Sequence, residues 1–385
     1  LRNGAVTQSG DAKLRFNSSN QNYLDGMQVT GDLDLSAGSG RVRVRNGLTL
    51  NSGRVRLNDS GGIGFDGVQT FDGEIVFEGD SGFVSLDGTS TLTLAPSAFV
   101  HGKSGRIGQA IFNGGTSTLI NQGRIRAEVV GGIVQVNPDV FTNTGTLESA
   151  EGGTLWVNAR AATQGGTARV GTGKITFSGT LTQGLAAALV SAGGTLEASG
   201  IWDLGGGTLA LNATTGGLLV NGGTLRNGAV TQTGDAKLRF SAGSQNYLDS
   251  MQVTGDLDLS AGASRARIRN GLTLNAGRVR LNENGAIGFD GVQTFGGEIV
   301  FEGDSGFVSL DGNATLTLAP TARIRGKSGR IGQAIFNGGT STLINQGTIR
   351  ADVAGGTLTV NPDTFTNTGT LEQANGGRLV APGFP

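Results

Sequence analysis

The strongest constraint on this chain is a short phrase that recurs about every 22 residues. "NQGRI" at 121–125 returns as "NTGTL" at 143–147, and glycine, any residue, then an aliphatic residue recurs along most of the sequence. The spacing is irregular, as expected where turns absorb insertions, and about 20–22 residues is the commonest interval. A turn followed by a short apolar step, repeated in this way, indicates that similar segments stack on one another. Such stacking predicts a solenoid rather than a fold built from hairpins, such as a sandwich or propeller.

A much longer repeat lies over this short one. Leu1–Ala161 returns as Leu225–Pro385 at a constant offset, and roughly three quarters of the positions are identical. We therefore expect one continuous solenoid over residues 1–385, with 1–224 as the first repeat unit and 225–385 as a partial second one. Because the pattern runs into Leu225 without a break, we also expect the chain to belong to a longer tandem array.

Three successive segments predict how the coils stack. They are "GDLDLS" at 31–36, "GRVRLN" at 53–58 and "GEIVFE" at 73–78. Side chains alternate between the two faces of a strand, so the aliphatic positions of these segments should form inward columns while Asp, Arg and Glu alternate outside. The expected core columns are Leu33, Val55 and Ile75, and Leu35, Leu57 and Phe77. This arrangement needs parallel strands and predicts an all-β fold, a right-handed parallel β-helix (β-solenoid) with about 20–22 residues per coil.

The Asn-x-Gly phrases are interpreted as corners between strand faces. Asparagine and glycine tolerate the positive φ that a sharp corner can require, and stacked asparagines can share side-chain hydrogen bonds. The expected corner residues are Asn121, Gly123, Asn143, Gly145, Asn345, Gly347, Asn367 and Gly369.

Composition excludes several functions. The chain has 70 glycines, no cysteine and a formal net charge of −1. The absence of cysteine excludes disulfides and thiolate metal sites, and the net charge predicts no attraction to nucleic acid. No apolar run reaches the length of a membrane-spanning helix, so we expect no membrane span in this region.

Two motifs suggest chemistry but are better read as turns. "GGIGFDGVQ" at 61–69 matches a calcium-binding nonapeptide and makes Asp66 a weak calcium candidate, but such sites need tandem copies. "GDSG" at 79–82 resembles a serine protease loop, in which Ser81 would need a histidine as its base. The chain has one histidine, His101, and the equivalent position in the second repeat is Arg325. We therefore expect no catalytic residue, no bound metal and no cofactor.

Carboxylates could also serve as the acid and base of a polysaccharide-degrading enzyme. The candidates are Asp32, Asp34, Asp66, Asp72, Glu74, Glu78 and Asp80. Most of them alternate with arginine, as expected for a charged outer wall, and Asp72 is replaced by Gly296 in the second repeat. "RVRVR" at 41–45 is interpreted in the same way, as a solvated wall.

The segment "STLINQGTIRADVAGGTLTVNPDTFTNTGTLEQANGGRLV" at 341–380 resembles the β-solenoid stalks of large exported bacterial proteins. These include filamentous-haemagglutinin-like exoproteins and autotransporter passenger domains. The resemblance implies an extracellular or cell-surface location and a structural role as a stiff fibre or adhesin stalk. The expected partners are the chain itself, head to tail or within a longer tandem-repeat chain, and surface glycans. The alternative is a β-helix that degrades or binds polysaccharides.

Overall fold

The computed structural model describes residues 1–182 and 189–385. In these two ranges every regular element is a β-strand, and the residues form two compact units, Leu1–Gly200 and Ile201–Pro385. The described part of the chain contains no apolar helix of membrane-spanning length. The prediction of an all-β fold is confirmed.

The strands of the first unit are β1 (Arg2–Thr7), β2 (Tyr23–Thr30), β3 (Leu33–Leu35), β4 (Arg41–Asn51), β5 (Arg54–Leu57), β6 (Gly61–Phe71), β7 (Glu74–Phe77), β8 (Gly82–Leu94), β9 (Phe99–Gly102), β10 (Gly105–Ile107), β11 (Ser117–Asn121), β12 (Arg124–Ala127), β13 (Ile133–Val136), β14 (Val140–Asn143), β15 (Thr146–Ser149), β16 (Thr154–Val157), β17 (Ala161–Gln164), β18 (Thr167–Val170), β19 (Lys174–Phe177), β20 (Thr180–Thr182), β21 (Leu189–Ser191) and β22 (Thr195–Ala198).

The strands of the second unit are β23 (Ile201–Asp203), β24 (Thr208–Leu211), β25 (Leu218–Val220), β26 (Thr224–Gln232), β27 (Leu238–Phe240), β28 (Tyr247–Thr254), β29 (Leu257–Leu259), β30 (Arg265–Asn275), β31 (Arg278–Leu281), β32 (Gly285–Phe295), β33 (Glu298–Phe301), β34 (Gly306–Leu318), β35 (Arg323–Gly326), β36 (Gly329–Ile331), β37 (Thr342–Asn345), β38 (Thr348–Ala351), β39 (Thr357–Val360), β40 (Thr364–Asn367), β41 (Thr370–Gln373) and β42 (Arg378–Val380).

Each coil presents three faces, which the coil of β4 and β5 defines. Face 1 is residues 41–45, face 2 is residues 48–51 and face 3 is residues 54–57. Each face pairs in parallel with the same face of the next coil, as β5 does with β3 and β7 on face 3. The prediction of parallel, in-register stacking, a β-solenoid, is thereby confirmed within each unit, while its right-handed sense stays a prediction.

Coil length varies along the chain, as the irregular spacing of the repeated phrase predicts. On face 3 of the first unit, Leu33 pairs with Val55 and Val55 with Ile75, and these two steps along the chain match the expected spacing. The next steps, from Ile75 to Val100 and from Val100 to Ile125, are both several residues longer. The longer coils carry extra residues at the corners and in a loop between β10 and β11, so the expected spacing is an average and not a fixed period.

The interior of each unit is a set of apolar columns. Almost every inward aliphatic residue is fully buried, and phenylalanines such as Phe65 and Phe71 pack edge to face with ring centroids 5.6 Å apart. Phe289 and Phe295 repeat that contact in the second unit, also at 5.6 Å. Stacking of like side chains lets each coil cover the apolar surface of its neighbours, which a single coil of this size cannot do alone.

Candidate functional site

The two predicted core columns lie on face 3 of the first unit. Leu33 pairs with Val55 and Val55 with Ile75, while Leu35, Leu57 and Phe77 form the neighbouring column. All six side chains are buried. These residues build the scaffold, and the positions between them, Asp34, Arg56 and Val76, point outward.

The asparagines at the ends of β11 and β14 form a buried hydrogen-bonded column. Asn121 donates its Nδ2 hydrogen to Oδ1 of Asn143 over 2.6 Å, and Asn143 donates to Oε1 of Gln164 over 2.9 Å. In the second unit Asn345 donates to Asn367 over 2.7 Å. The structure thus brings the predicted asparagines together at the corner between faces 2 and 3.

The predicted reason for the Asn-x-Gly corners is wrong. Positive φ occurs at none of Asn121, Gly123, Asn143, Gly145, Asn345, Gly347, Asn367 and Gly369. Glycine is needed because the backbones of successive coils approach closely: a Cβ on Gly145 would lie 2.1 Å from the carbonyl oxygen of Gly123, and one on Gly369 would lie 2.2 Å from that of Gly347. Left-handed backbone does occur at other corner positions: Ser52 has φ 54° between faces 2 and 3, while Asn46 and Gly47 have φ 53° and 93° at the corner between faces 1 and 2.

A second buried amide braces that other corner, and the sequence analysis did not find it. Gln69 donates its Nε2 hydrogens to the carbonyl oxygens of Val44, over 2.7 Å, and Asp66, over 2.8 Å. Its Oε1 accepts the N–H of Gly47 over 3.0 Å. Gln293 makes the same contacts in the second unit. One side chain therefore satisfies three backbone groups that a sharp bend would otherwise leave unpaired.

The outer wall of face 3 is a ladder of opposite charges. Arg56 makes two hydrogen bonds with the Glu78 carboxylate, at 2.6 and 3.0 Å, and a third with Asp34 at 3.3 Å. Partial burial of Asp34 opposes its charged form, but the hydroxyl and N–H of Ser36, together with Arg56, outweigh burial and lower the pKa of Asp34. The hydrogen bond with Glu78 raises the pKa of the Arg56 guanidinium.

Every carboxylate considered for catalysis has a partner within the fold. Asp34 and Glu78 both contact Arg56, as described above. Asp72 accepts a hydrogen bond from the Ser97 hydroxyl, and Asp80 forms an ion pair with Lys103 at 2.8 Å. The remaining contacts are those of Asp32 with the N–H of Arg54, Glu74 with Arg54 and His101, and Asp66 with Arg43 and Arg45. The arrangement neutralises acids along a wall and does not set two carboxylates across a cleft.

His101 bridges two glutamates on this wall. Its Nε2 lies 2.9 Å from Glu74 Oε1, its Nδ1 contacts Glu128, and its ring stacks on Phe99 with centroids 4.0 Å apart. His101 is therefore engaged by carboxylates, and the hydroxyl oxygen of Ser81 accepts the N–H of Ser60 over 3.0 Å. No described contact joins Ser81 to a histidine, which agrees with its interpretation as a turn residue.

The calcium candidate Asp66 is held by two arginines. Its Oδ1 accepts hydrogen bonds from Nε and Nη2 of Arg43, at 3.0 and 2.7 Å, and its Oδ2 accepts one from Arg45 Nε at 2.9 Å. Asp290 repeats these contacts with Arg267 and Arg269. Across residues 1–182 and 189–385, no group of three or more His, Asp or Glu residues is placed to hold a metal ion.

The solvated-wall interpretation of "RVRVR" is wrong at its central arginine. Arg43 is buried, and besides Asp66 its Nη1 donates to the hydroxyl of Tyr23 over 3.0 Å. Arg45 also lies over the ring of Tyr23, with its guanidinium carbon 4.0 Å from the ring centroid. This aromatic and acidic environment stabilises a buried guanidinium.

A loop folds back over face 1 of the first unit. The Oδ1 atom of buried Asp87 accepts the N–H groups of Ile111, Phe112 and Asn113, at 3.2, 2.8 and 2.9 Å. The ring of Phe112 then covers Gly64, where a Cβ would lie 2.7 Å from it. In the second unit Asp311 accepts the N–H groups of the corresponding residues, 336 and 337.

Next to this loop, a groove opens at the corner between faces 3 and 1. In the first unit its volume is about 290 Å³, and its lining includes Asp80, Ser81, Phe83, Ser104 and Arg106. The second unit has a corresponding groove of about 410 Å³. The sequence analysis did not find these grooves, because they form only where three coils stack.

Comparison with known proteins gives one distant similarity. No family model matches the chain. The chain is 25% identical over 363 residues to a curated protein named Adhesin BmaC autotransporter, from Brucella suis biovar 1 (strain 1330). The match covers 92% of this chain and 9% of that protein, so the chain spans about a tenth of the length of the curated relative it matches.

Proposed function

We propose that the chain is a stalk segment of an adhesin-like protein displayed outside a bacterial cell. The observation that carries this proposal is the parallel stacking of coils whose outward acids are neutralised by neighbouring arginines, lysines and hydroxyls. The similarity to a protein named an autotransporter adhesin supports the surface location. In this role the chain supplies length and resistance to unfolding, and its repeats form part of a longer tandem array.

The paired carboxylates favour a stalk over a polysaccharide-degrading enzyme. A glycoside-cleaving site needs one acid free to donate a proton and a second free to act as base or nucleophile. Asp34, Asp66 and Glu78 are each held by arginine. We therefore propose a non-catalytic role, in which the charged wall keeps successive coils in register.

The proposal is tested by varying the number of repeats. Proteins with one, two and four tandem copies of residues 1–224 are imaged by electron microscopy, and the length of each particle is measured. About ten coils per copy, each rising about 4.8 Å, should add about 48 Å per copy. A stalk requires the same increment for each added copy. Lengths that grow only as the square root of copy number, as for a flexible linker, would contradict the proposal.

A further inference from the structure

The polar groups that the first groove leaves open are mainly hydrogen-bond donors. Ser81 and Ser104 each accept a backbone N–H, from Ser60 over 3.0 Å and from Ile133 over 3.1 Å. Within the described ranges neither hydroxyl hydrogen has an acceptor, so both can donate into the groove. The acid that lines it, Asp80, has an exposed carboxylate whose charge Lys103 offsets in an ion pair at 2.8 Å. A donor-rich groove favours a ligand rich in acceptors.

One positively charged side chain in the groove is open to a ligand. The side chain of Arg106 is exposed and makes no ion pair or hydrogen bond with the described residues. The guanidinium of arginine matches the geometry of carboxylate and sulfate groups, because its parallel N–H bonds can contact two oxygens of one anion. The second groove places Arg330 in the same position.

The groove continues into a column of larger side chains along face 1. Phe83 pairs with Arg106, Arg106 with Gln135, and Gln135 with Trp156, on four successive strands. Phe83, Gln135 and Trp156 are half-buried, and the indole N–H of Trp156 donates to the Ser178 hydroxyl, which fixes the ring. Strand spacing places these side chains about 4.8 Å apart. Aromatic surfaces thus lie at both ends, with amide and guanidinium donors between them.

We propose that Phe83, Arg106, Gln135 and Trp156 form a binding strip for an extended acidic glycan. The two aromatic rings offer flat apolar surfaces to the faces of sugar rings, and Arg106 binds a carboxylate or sulfate group on the sugar between them. Ser81 and Ser104 donate to the oxygens of the same ligand. An elongated strip suits a chain of sugars better than a single small molecule, because its contacts extend over four coils.

The second unit carries a weaker version of the strip. Phe307 and Arg330 are retained and pair in the same way, but Gln135 is replaced by Thr359 and Trp156 by Val380. Without the indole, the second unit lacks one of the two aromatic surfaces. The chain therefore offers an internal comparison, since the residues of the second unit can be placed in the first.

The inference rests on the proposed surface function, because only a stalk displayed outside the cell would meet extracellular acidic glycans and bind them through this strip. Its failure is distinguishable from failure of the stalk proposal. Particle length as a function of repeat number does not depend on Arg106, whereas glycan binding does.

The test measures binding of short oligosaccharides to the full chain by isothermal titration calorimetry at about 0.15 M salt, where long-range electrostatic attraction is largely screened. The probes are hexagalacturonate, which carries carboxylates, a heparin hexasaccharide, which carries sulfates as well, and fully methyl-esterified hexagalacturonate, which is neutral. We expect at least one acidic probe to bind about tenfold or more tightly than the neutral one. The two acidic probes distinguish the carboxylated from the sulfated ligand.

Three variants assign the binding to the strip. The double variant Arg106→Ala with Arg330→Ala should weaken binding of the acidic probe about tenfold or more, and Trp156→Val, which installs the residue of the second unit, should weaken it about threefold to tenfold. Arg169→Ala is the control, because it removes one exposed arginine from face 3 and should leave affinity unchanged.

Three results would overturn the proposal. One is absence of saturable binding to both acidic probes. Another is an equal loss of affinity in Arg169→Ala, which would mean that net charge alone attracts the ligand. The third is equally tight binding of a hexaglutamate peptide, which would indicate a surface for acidic proteins.

Discussion

Asn143 lies between Asn121 and Gln164 in a buried column, donating to Gln164 over 2.9 Å and accepting from Asn121 over 2.6 Å. Three successive coils are thus joined at one corner by side-chain amides, in addition to their backbone ladders. In a protein interior each hydrogen bond of such a relay offsets part of the cost of burying the two amides that make it.

Replacing Asn143 by alanine should therefore destabilise the first unit. The substitution removes the carbonyl that accepts from Asn121 Nδ2 and the donor that pairs with Gln164 Oε1. We expect a loss of about 2–3 kcal/mol in the free energy of unfolding. Urea denaturation of the full chain measures it. Asn367→Ala is the matched control, because Asn367 is exposed and has one such neighbour, Asn345. Equal losses in the two variants would contradict a role for the buried relay.

Gly145→Ala should destabilise the same corner for a different reason. Its Cβ would lie 2.1 Å from the carbonyl oxygen of Gly123, so the two coils would have to move apart. We expect a loss of about 1–3 kcal/mol, typical of overpacking. Gly114→Ala is the control, since a Cβ there meets no atom within 4 Å. Both are measured by thermal unfolding, and an unchanged melting temperature in Gly145→Ala would show that the coils are not packed as described.

His101→Arg should be tolerated where His101→Ala is not. In the second unit Arg325 occupies this position, with its Nε donating to Glu298 over 2.7 Å, a contact that raises the pKa of Arg325. An arginine at 101 can likewise contact Glu74 and Glu128. We expect stability within about 0.5 kcal/mol of the parent for the arginine variant and a loss of about 1 kcal/mol for alanine. Urea denaturation at pH 7 compares them, and similar losses would contradict the bridging role.

Stability should fall in acid through particular aspartates. The pKa values of Asp34, Asp203 and Asp363 lie below their ordinary value of 3.8 in the folded chain. For Asp203 burial opposes the charged form, but the N–H of Gly205, Asn227 and Arg226 outweigh it. For Asp363 the N–H and hydroxyl of Ser341 lower the pKa.

Because these pKa values are lowered by folding, their contribution to stability is complete above about pH 5 and is lost as the pH falls below 3.8 through the folded values. Asp34→Asn with Asp203→Asn should lower stability at pH 7 and flatten the acid limb of a stability curve recorded from pH 7 to pH 2. If the variant loses stability in acid as steeply as the parent does, groups other than these two aspartates must cause that loss.

Much of the fold was predictable because its information is local and repeated. The alternation in "GDLDLS", "GRVRLN" and "GEIVFE" assigns one face inward, and stacking by the Gly-x-aliphatic phrase gives the register that pairs Leu33 with Val55. The Asn-x-Gly phrase also indicates a corner between strands, but it does not indicate why glycine is needed there. A short sequence phrase cannot distinguish a glycine needed for positive φ from one needed for close approach of a neighbouring coil.

The features that escaped prediction depend on partners in other coils. Gln69 satisfies the N–H of Gly47 from the next coil, and Asp87 likewise holds the loop of Phe112 from a different coil. The grooves combine side chains from three coils. Asn46-Gly47, by contrast, is a pair that typically adopts left-handed backbone angles. It directly follows "RVRVR" in the sequence, and the corner it forms could have been predicted from those two residues.

Parallel, in-register stacking is tested most directly by paired cysteines on face 2, since the chain has no cysteine of its own. Val140 pairs with Ala161 and Thr142 with Thr163. Oxidation followed by mass spectrometry should show an intrachain disulfide for both of these double-cysteine pairs, because each brings its Cα atoms within bonding range. The crossed pairs, Val140 with Thr163 and Thr142 with Ala161, should remain reduced. Efficient disulfide formation in the crossed pairs and not in the parallel ones would mean that these strands run in opposite directions.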